Sequence, residues 1–187
     1  MDEVAATALV SDAVFRALCE DILGGRYEPG EKLPTQRRLA ADLGVNMASV
    51  REGVKRLEQL RLVEVRQGDA MRVADWRTAG GLDVLAQLLF RAGGLETGTL
   101  AALMEARALM LSEAARLAAS RRSDACAVSL GELAARIAEA GDTAAAQAID
   151  WAFFAELVEA AGNLVLKLVM NSIRHVYFER AELFAAV

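Results

Sequence analysis

The sequence predicts a mainly α-helical protein in which three helices and a β-hairpin precede an all-α bundle. Apolar residues make up 55% of the 187 residues and aromatic residues only 5%, so the core must consist of Ala, Leu and Val. Both prolines, Pro29 and Pro34, lie near the N-terminus, which leaves the rest of the chain without the strongest helix breaker. This composition excludes collagen-like, mucin-like and disordered chains.

Three helical patterns come first. The first helix is predicted to begin near Ser11 and to end at Gly24, because apolar residues recur every four positions at Val10, Val14, Leu18 and Ile22. Thr35 opens a short second helix that ends at Gly44, and Asn46 caps the third. The buried side of the third helix is predicted to carry Val50, Val54, Leu57 and Leu60.

The hydrophobic period changes from 3.6 to 2 after the third helix. Val63 and Val65 alternate with charged residues, a Q-G-D-A turn follows, and Met71 and Val73 flank Arg72. This alternation predicts a β-hairpin. Helix, helix, tight turn, helix and hairpin together are the winged form of the helix-turn-helix, and we assign it to residues 1–75.

Residues 76–187 carry only helical signals and are predicted to form an all-α bundle. Glycine pairs, a Gly-Asp and a Gly-Asn step and a polar RRSD stretch separate the helices. The predicted helices cover residues 76–91, 99–120, 124–140, 143–161 and 164–185.

The net charge of −5 argues at first against a nucleic-acid partner, since phosphate neutralisation supplies much of the affinity for DNA. The charge is distributed unevenly, however. Residues 32–72 contain nine basic and five acidic residues, whereas residues 76–187 contain ten basic and thirteen acidic ones. The candidate DNA-binding surface is therefore basic, and the acidity belongs to the bundle.

Position along the helices identifies candidate DNA contacts. Arg37 and Arg38 begin the second helix, where side chains and free N–H groups can hold a phosphate. Arg51 lies early in the third helix, which is the part of a recognition helix that reaches base edges. The hairpin tip contains a glycine that allows close backbone approach. The predicted contacts are Thr35, Arg37, Arg38, Met47, Ser49, Arg51, Lys55, Gln67 and Gly68.

The stretch PGEKLPTQRRLAADLGVNMASVREGVKRLEQLRLVEVRQG resembles the DNA-binding domain of the GntR superfamily of transcription regulators. The matching motifs are PG..LP, R.LA..LGV, S-V-R-E and L..L.LV..R.G. The helical remainder resembles the FadR branch, in particular its fatty-acyl-CoA-responsive regulators, through ADWRTAGGLDVLAQLL and IDWAFFAELVEAAGNLVLKLVMNSIRHVYF. The resemblance implies a homodimer that binds a palindromic operator, with an effector changing the spacing of its two DNA-binding heads.

Three departures from the family pattern are visible. Met47 stands where these regulators commonly place a polar or basic reader, although its thioether can contact a thymine methyl group. Many FadR-branch bundles hold a divalent metal through D-x-x-F-H, whereas Phe154 replaces that histidine and His175 is the sole histidine. We therefore expect no metal and no cofactor. FadR-type bundles also continue for two helices beyond the AELFAAV at which this chain stops.

Candidate effector contacts are Arg107, Asp150 and Asn163. Arg107 lies among small residues on an inward-leaning helix, so it requires an anionic partner, which is either Asp150 or an effector carboxylate or phosphate. The structural ion pair is the favoured alternative. Asn163 follows Gly162 and is expected to cap the last helix unless it lines the pocket.

These observations predict a dimeric, ligand-responsive transcription repressor whose effector is a fatty acyl-CoA or an organic acid. Two alternatives remain: a winged-helix protein-interaction module that does not use DNA, and an enzyme built on the bundle. No nucleophile-base pair, metal cluster or phosphate loop favours the enzyme. Two cysteines without a CxxC motif and the lack of a signal peptide or apolar span predict a cytoplasmic protein.

Overall fold

The computed structural model describes residues 2–66, 70–91 and 94–179. The chain divides into two compact units, which we call the N-terminal unit (Met1–Gly94) and the C-terminal unit (Leu95–Val187). The first contains α1 (Asp2–Leu23), α2 (Gln36–Leu43), α3 (Met47–Gln59), β1 (Val63–Glu64), β2 (Arg72–Val73), α4 (Trp76–Ala79), a 3-10 helix (Leu82–Val84), α5 (Leu85–Leu89) and β3 (Phe90–Arg91). After β4 (Gly94–Leu95), which pairs with β3, come α6 (Thr97–Arg121), α7 (Asp124–Glu139), α8 (Thr143–Ala160) and α9 (Leu164–Glu179).

The mainly α-helical fold class, with a winged helix-turn-helix before a helical bundle, is confirmed. The prediction of one helix over residues 76–91 is wrong. Gly80 ends α4 in an extended conformation with φ −67° and ψ 155°, and Gly81 is extended as well, so the helix breaks at this pair. The segment then forms the 3-10 helix, α5 and β3.

The start predicted for the first helix near Ser11 is wrong, because α1 already begins at Asp2. The ends of α2 and the start of α3 follow the signals in the sequence. The Thr35 hydroxyl accepts the N–H of Arg38, and the Asn46 carboxamide accepts the N–H of Ser49. Gly44 has a φ of 65°, a left-handed conformation that glycine adopts without steric cost, and its N–H reaches the carbonyl groups of the last turn of α2. These caps fix the tight turn between α2 and α3.

The core of the N-terminal unit lies between α1 and α3. Its fully buried side chains come from α1, α3 and the hairpin, and they include Val14, Leu18, Ile22, Val50, Val54, Leu57, Val63 and Val73. The guanidinium of Arg56 on α3 lies 4.0 Å from the centre of the Phe15 ring on α1 and donates to Asp12 at 3.0 Å. Polar contacts thus reinforce the apolar packing of the two helices.

The hairpin is short and regular. Val63 pairs with Val73 and Glu64 with Arg72 in antiparallel register, which places both valines on the buried face. An isolated bridge between Lys32 and Arg72 joins the segment that precedes α2 to the edge of the hairpin. The turn with the two prolines is in this way attached to the wing.

The segment after the hairpin packs within the N-terminal unit. Val84 is buried in its core, and Leu89 is fully buried. Arg61, which follows the C-cap of α3, has a φ of 57° and donates at 2.8 Å to both carboxylate oxygens of Asp83. Arg91 donates to Glu20 on α1 at 2.8 Å. Packing thus continues beyond residue 75, while the functional boundary after residue 75 stays a prediction.

In the C-terminal unit, α8 packs against both α6 and α7. Small residues on α6, Ala114 and Ala118, face larger ones on α8, Phe154 and Val158, so the helices approach closely. Arg121 closes one end of the unit by donating to the Ala161 carbonyl at 2.5 Å. Among the residues that the structure describes, no helix combines the length and apolarity needed to cross a bilayer.

Both cysteines are free thiols, as the sequence predicts. Cys19 lies in the core of the N-terminal unit, and Cys126 is partly exposed. Burial, together with the neighbouring Glu20 carboxylate, raises the pKa of the Cys19 thiol to about 12. Cys19 is therefore a small core residue in its protonated form rather than a nucleophile.

Replacement of Gly53 by alanine is expected to destabilise the N-terminal unit by about 1–3 kcal/mol, as overpacking does. An added Cβ would lie 2.9 Å from Val14 Cγ1 and 3.2 Å from the Phe15 backbone nitrogen, so α1 and α3 would have to separate. The matched control is Gly131→Ala on α7, where no atom lies within 4 Å and alanine should stabilise by about 0.5–1 kcal/mol. Differential scanning calorimetry of both variants measures the two effects, and equal shifts would contradict the close approach.

Candidate nucleic-acid interface and ligand site

The third helix has one buried and one exposed stripe. Its buried residues are Ser49, Val50, Gly53, Val54 and Leu57. The positions i, i+3, i+4 and i+7 on the other side are all exposed, and we call Ala48, Arg51, Glu52 and Lys55 the α3 outer stripe. Packing against α1 therefore decides which side chains of α3 can meet a partner.

Two of the predicted arginines carry guanidinium groups without a carboxylate partner. Arg37 on α2 and Arg51 on α3 are exposed, and neither forms an ion pair within the part of the chain that the structure describes. Arg38 differs, because its Nε lies 2.8 Å from the Asp42 carboxylate one turn along α2. Arg37 and Arg51 are thus available to an external anion without breaking an internal contact.

The other predicted contacts on the two helices are less directly available. Lys55 is exposed, with its Nζ 3.9 Å from Glu52 Oε2. Met47, the first residue of α3, is partly exposed. The Thr35 hydroxyl already serves as the N-cap of α2. Thr35 thus already has an internal role, and Lys55 has a carboxylate neighbour.

The structure places Ser49 away from this exposed face. Its hydroxyl is completely buried and has no hydrogen-bond partner among the described residues. Ser49 and Arg51 both lie in the first turns of α3, but Ser49 falls on the stripe that packs against α1. Its position therefore does not support direct contact between the side chain and DNA.

The predicted wing-tip contacts, Gln67 and Gly68, lie outside the described residues. The described part of the wing is basic on both sides of the tip. Arg66 is exposed and pairs with Glu64 at 2.9 Å, and Arg72 donates to the Gly30 carbonyl at 3.0 Å. The hairpin that would carry the tip is therefore held against the proline-containing turn.

Sequence reasoning missed Ala48 and Glu52, which share the outer stripe with Arg51 and Lys55. The signal that identifies them is the i, i+3, i+4, i+7 spacing that begins at Ala48. It follows from the predicted buried stripe, because this spacing lies on the opposite side of the helix. The predicted contacts on this face were the basic residues Arg51 and Lys55, whereas Ala48 is small and Glu52 is acidic. Both are exposed.

In the C-terminal unit, Arg107 of α6 and Asp150 of α8 form an ion pair. Arg107 Nη2 lies 2.6 Å from each carboxylate oxygen, and the guanidinium lies 5.8 Å from the centre of the Phe154 ring. The two side chains are 25% and 32% exposed, so solvent and small anions still reach the pair. The structural ion pair favoured by the sequence is thus present in this structure.

The residues around Asp150 do not fit a divalent metal. The guanidinium of Arg107 already binds the Asp150 carboxylate. The buried Phe154 stands at the position where the family pattern has a ligand histidine. Within residues 2–66, 70–91 and 94–179, no group of three or more His, Cys, Asp or Glu side chains could hold an ion. A cation is already supplied to this carboxylate by the chain itself.

Asn163 caps α9. Its Oδ1 accepts the N–H groups of Val165 at 3.0 Å and Leu166 at 3.3 Å. This is the alternative that the sequence favoured, because the residue follows Gly162 at a helix start. Only the amide nitrogen of Asn163 remains for any further partner.

Comparisons with known proteins match both units. Residues 10–73 match the family described as bacterial regulatory proteins, gntR family, and residues 102–186 match the FCD domain. The HTH-type transcriptional regulator Mce2R of Mycobacterium tuberculosis is 39% identical over 168 residues, 90% of this chain and 70% of that protein. The fatty acid metabolism regulator protein of Yersinia pestis is 26% identical over 86% of this chain and 66% of its own length. Among solved structures, a Streptococcus agalactiae GntR is 28% identical, with a TM-score of 0.41, covering 89% of this chain and 79% of that one.

Replacing Ser49 by alanine should leave stability unchanged or raise it by up to about 1 kcal/mol, because a buried hydroxyl without a partner carries a desolvation penalty. The matched variant is Asn46→Ala in the same turn, which removes the cap of α3 and should cost about 1 kcal/mol. Chemical denaturation measures both variants. A loss for Ser49→Ala as large as that for Asn46→Ala would show that the Ser49 hydroxyl is bonded in solution.

Proposed function

The chain belongs to the GntR family of bacterial regulatory proteins and carries an FCD domain after its helix-turn-helix, and from this we propose a homodimeric repressor that leaves its palindromic operator when an anionic effector binds. DNA binding is the function of the N-terminal domain. The observation that carries the proposed contacts is the pair of exposed guanidinium groups on α2 and α3, Arg37 and Arg51, which have no carboxylate partner among the described residues.

The two arginines have different tasks. Arg37 lies in the first turn of α2, where it binds phosphate and sets the register of the head on the duplex. Arg51 lies on the outer stripe of α3 and pairs with the O6 and N7 atoms of a guanine in the major groove. The first contact supplies affinity that depends on salt, and the second supplies sequence preference.

The remaining predicted contacts surround these two. We propose that Arg38 and Lys55 reach phosphates, at the expense of their contacts with Asp42 and Glu52. Thr35 holds the α2 N-terminus towards the backbone, and Met47 contacts a thymine methyl group. Gln67 and Gly68 approach the minor groove. Ser49, being buried, supports the stripe by packing.

The effector acts through Arg107 in the C-terminal unit. A fatty acyl-CoA or organic acid presents a phosphate or carboxylate that competes with Asp150 for the guanidinium, which is three-quarters buried and therefore binds anions more strongly than an exposed arginine. Asn163 can contribute its amide nitrogen. Losing the bond to Arg107 leaves Asp150 without its cation, so α6 and α8 must readjust.

Effector binding changes the fraction of dimers whose two heads are spaced to fit the operator. In our proposal residues 1–75 form the head that binds a half-site, and residues 76–187 form the effector and dimerisation domain. The dimer spaces its two heads by about one helical turn of DNA, and the effector favours a spacing that no longer matches the two half-sites. Repression and release therefore require binding equilibria alone, and no covalent step.

A protein-interaction module that uses the same fold without DNA predicts a different salt response. Binding of a random duplex through this surface should weaken steeply with ionic strength, because each phosphate contact releases condensed counterions. A flat response between low and physiological salt would favour the interaction module. The named relatives of this chain are transcriptional regulators, so an enzyme built on the helical bundle is the least favoured of the three functions.

Replacement of Arg51 by alanine should weaken operator binding by about 1–3 kcal/mol and relax the preference at one base pair per half-site. Arg116→Ala is the matched control, because Arg116 is an exposed arginine of the other unit that already pairs with Glu113. Fluorescence anisotropy with an operator selected from a random duplex pool gives both quantities. Equal affinity and preference for the Arg51 variant and the wild type would remove Arg51 from the contacts.

The effector contacts give opposite expectations for the two members of the ion pair. Arg107→Ala should lose release by long-chain acyl-CoA or by carboxylates, because it removes the guanidinium that binds the anion of the effector. Asp150→Asn removes the charge of the internal competitor, so half-maximal release should need an effector concentration at least about ten-fold lower, since a charged hydrogen bond is worth about 1.5–3 kcal/mol. Titration of the preformed DNA complex with palmitoyl-CoA, palmitate and free coenzyme A separates the acyl, carboxylate and phosphate contributions. Wild-type release by the Arg107 variant would place the effector elsewhere.

A further inference from the structure

We propose that Glu52 determines part of the operator sequence by accepting a hydrogen bond from the exocyclic amino group of a cytosine. The inference rests on the DNA-binding function proposed above and adds a residue that the basic pattern of the sequence concealed. Glu52 occupies position i+4 of the outer stripe that begins at Ala48. It therefore enters the groove on the same face as Arg51 and Lys55.

Glu52 has no arginine partner at hydrogen-bond distance, unlike several other carboxylates of this unit. Three exposed acids there bind an arginine at hydrogen-bond distance: Asp42 at 2.8 Å, Asp83 at 2.8 Å and Glu64 at 2.9 Å. Glu52 has instead a contact of 3.9 Å with Lys55, and its side chain is 55% exposed. At that distance the lysine and the carboxylate do not share a hydrogen bond.

A carboxylate on a surface that faces phosphates lowers affinity for every DNA sequence unless it receives a hydrogen bond in return. The major groove offers two kinds of amino donor, N4 of cytosine and N6 of adenine. Adenine places the N7 acceptor beside its amino group, where it repels a second carboxylate oxygen. Cytosine places no acceptor beside N4 on the groove edge, so it is the base that Glu52 selects.

The neighbouring side chain completes the assignment. Arg51 precedes Glu52 directly, and Ala48 and Lys55 lie on either side of the two along the stripe. A donor-only guanidinium and an acceptor-only carboxylate at adjacent positions can read a guanine and a cytosine on nearby base pairs. The small methyl group of Ala48 lies beside them and leaves room for the helix to enter the groove.

The test compares Glu52→Gln and Glu52→Ala with Glu58→Gln in the full chain. Glu58 is an exposed glutamate on the same helix, six residues or about 9 Å further along the axis, and its substitution removes the same charge. Each protein is used to select binding sites from a random duplex pool, and affinities are then measured for the selected site with all four bases at each position. Circular dichroism melting checks that the folds are retained.

Glu52→Ala should erase a cytosine preference of at least about five-fold at one position of each half-site, and Glu52→Gln should shift that preference to adenine. Glu58→Gln should change the affinity for all sequences by one common factor. An unchanged preference with Glu52→Gln and Glu52→Ala, while the wild type still selects a site, overturns the assignment of Glu52 alone. Failure of the wild type to enrich any sequence overturns the proposed sequence-specific function and this assignment with it.

Discussion

The close packing of α3 on α1 is the constraint on which the rest of the N-terminal unit depends. Gly53 allows the two backbones to approach, because any Cβ there would meet Val14 and the backbone of Phe15. The contact of Arg56 with Phe15 and Asp12 orients α3 about its own axis. Once that rotation is fixed, the outer stripe is exposed on the opposite side, and the chemistry available to a partner follows from its side chains.

Ion pairing then divides the arginines by role. Arg38, Arg61 and Arg66 bind carboxylates of the same unit and are partly neutralised. Arg37 and Arg51 carry their charge outward, and in the C-terminal unit Arg107 carries it inward to Asp150. Exposed ion pairs add little stability, so their main consequence here is to decide which cations are available to an anion.

The sequence predicted the elements with strong local signals and failed where tertiary contacts decide. The caps at Thr35, Gly44 and Asn46 were readable because they depend on single residues and their neighbours. The break at residues 80–81 coincides with a glycine pair, whose extended conformation interrupts the helical pattern predicted across it. The burial of Ser49 could not be read from sequence position, since it depends on how α3 is rotated against α1.

The left-handed Arg61 has a consequence for how the protein can be divided. A non-glycine residue with positive φ is strained by about 1–2 kcal/mol, and here its half-exposed ion pair with Asp83 offsets only part of that strain. A fragment cut after the hairpin would keep the strain, lose the bond and uncover the sites that Val84 and Leu89 fill. A chimaeric regulator that transplants this DNA-binding head onto another sensory domain should therefore place its junction after residue 91, so that the head carries its own support with it.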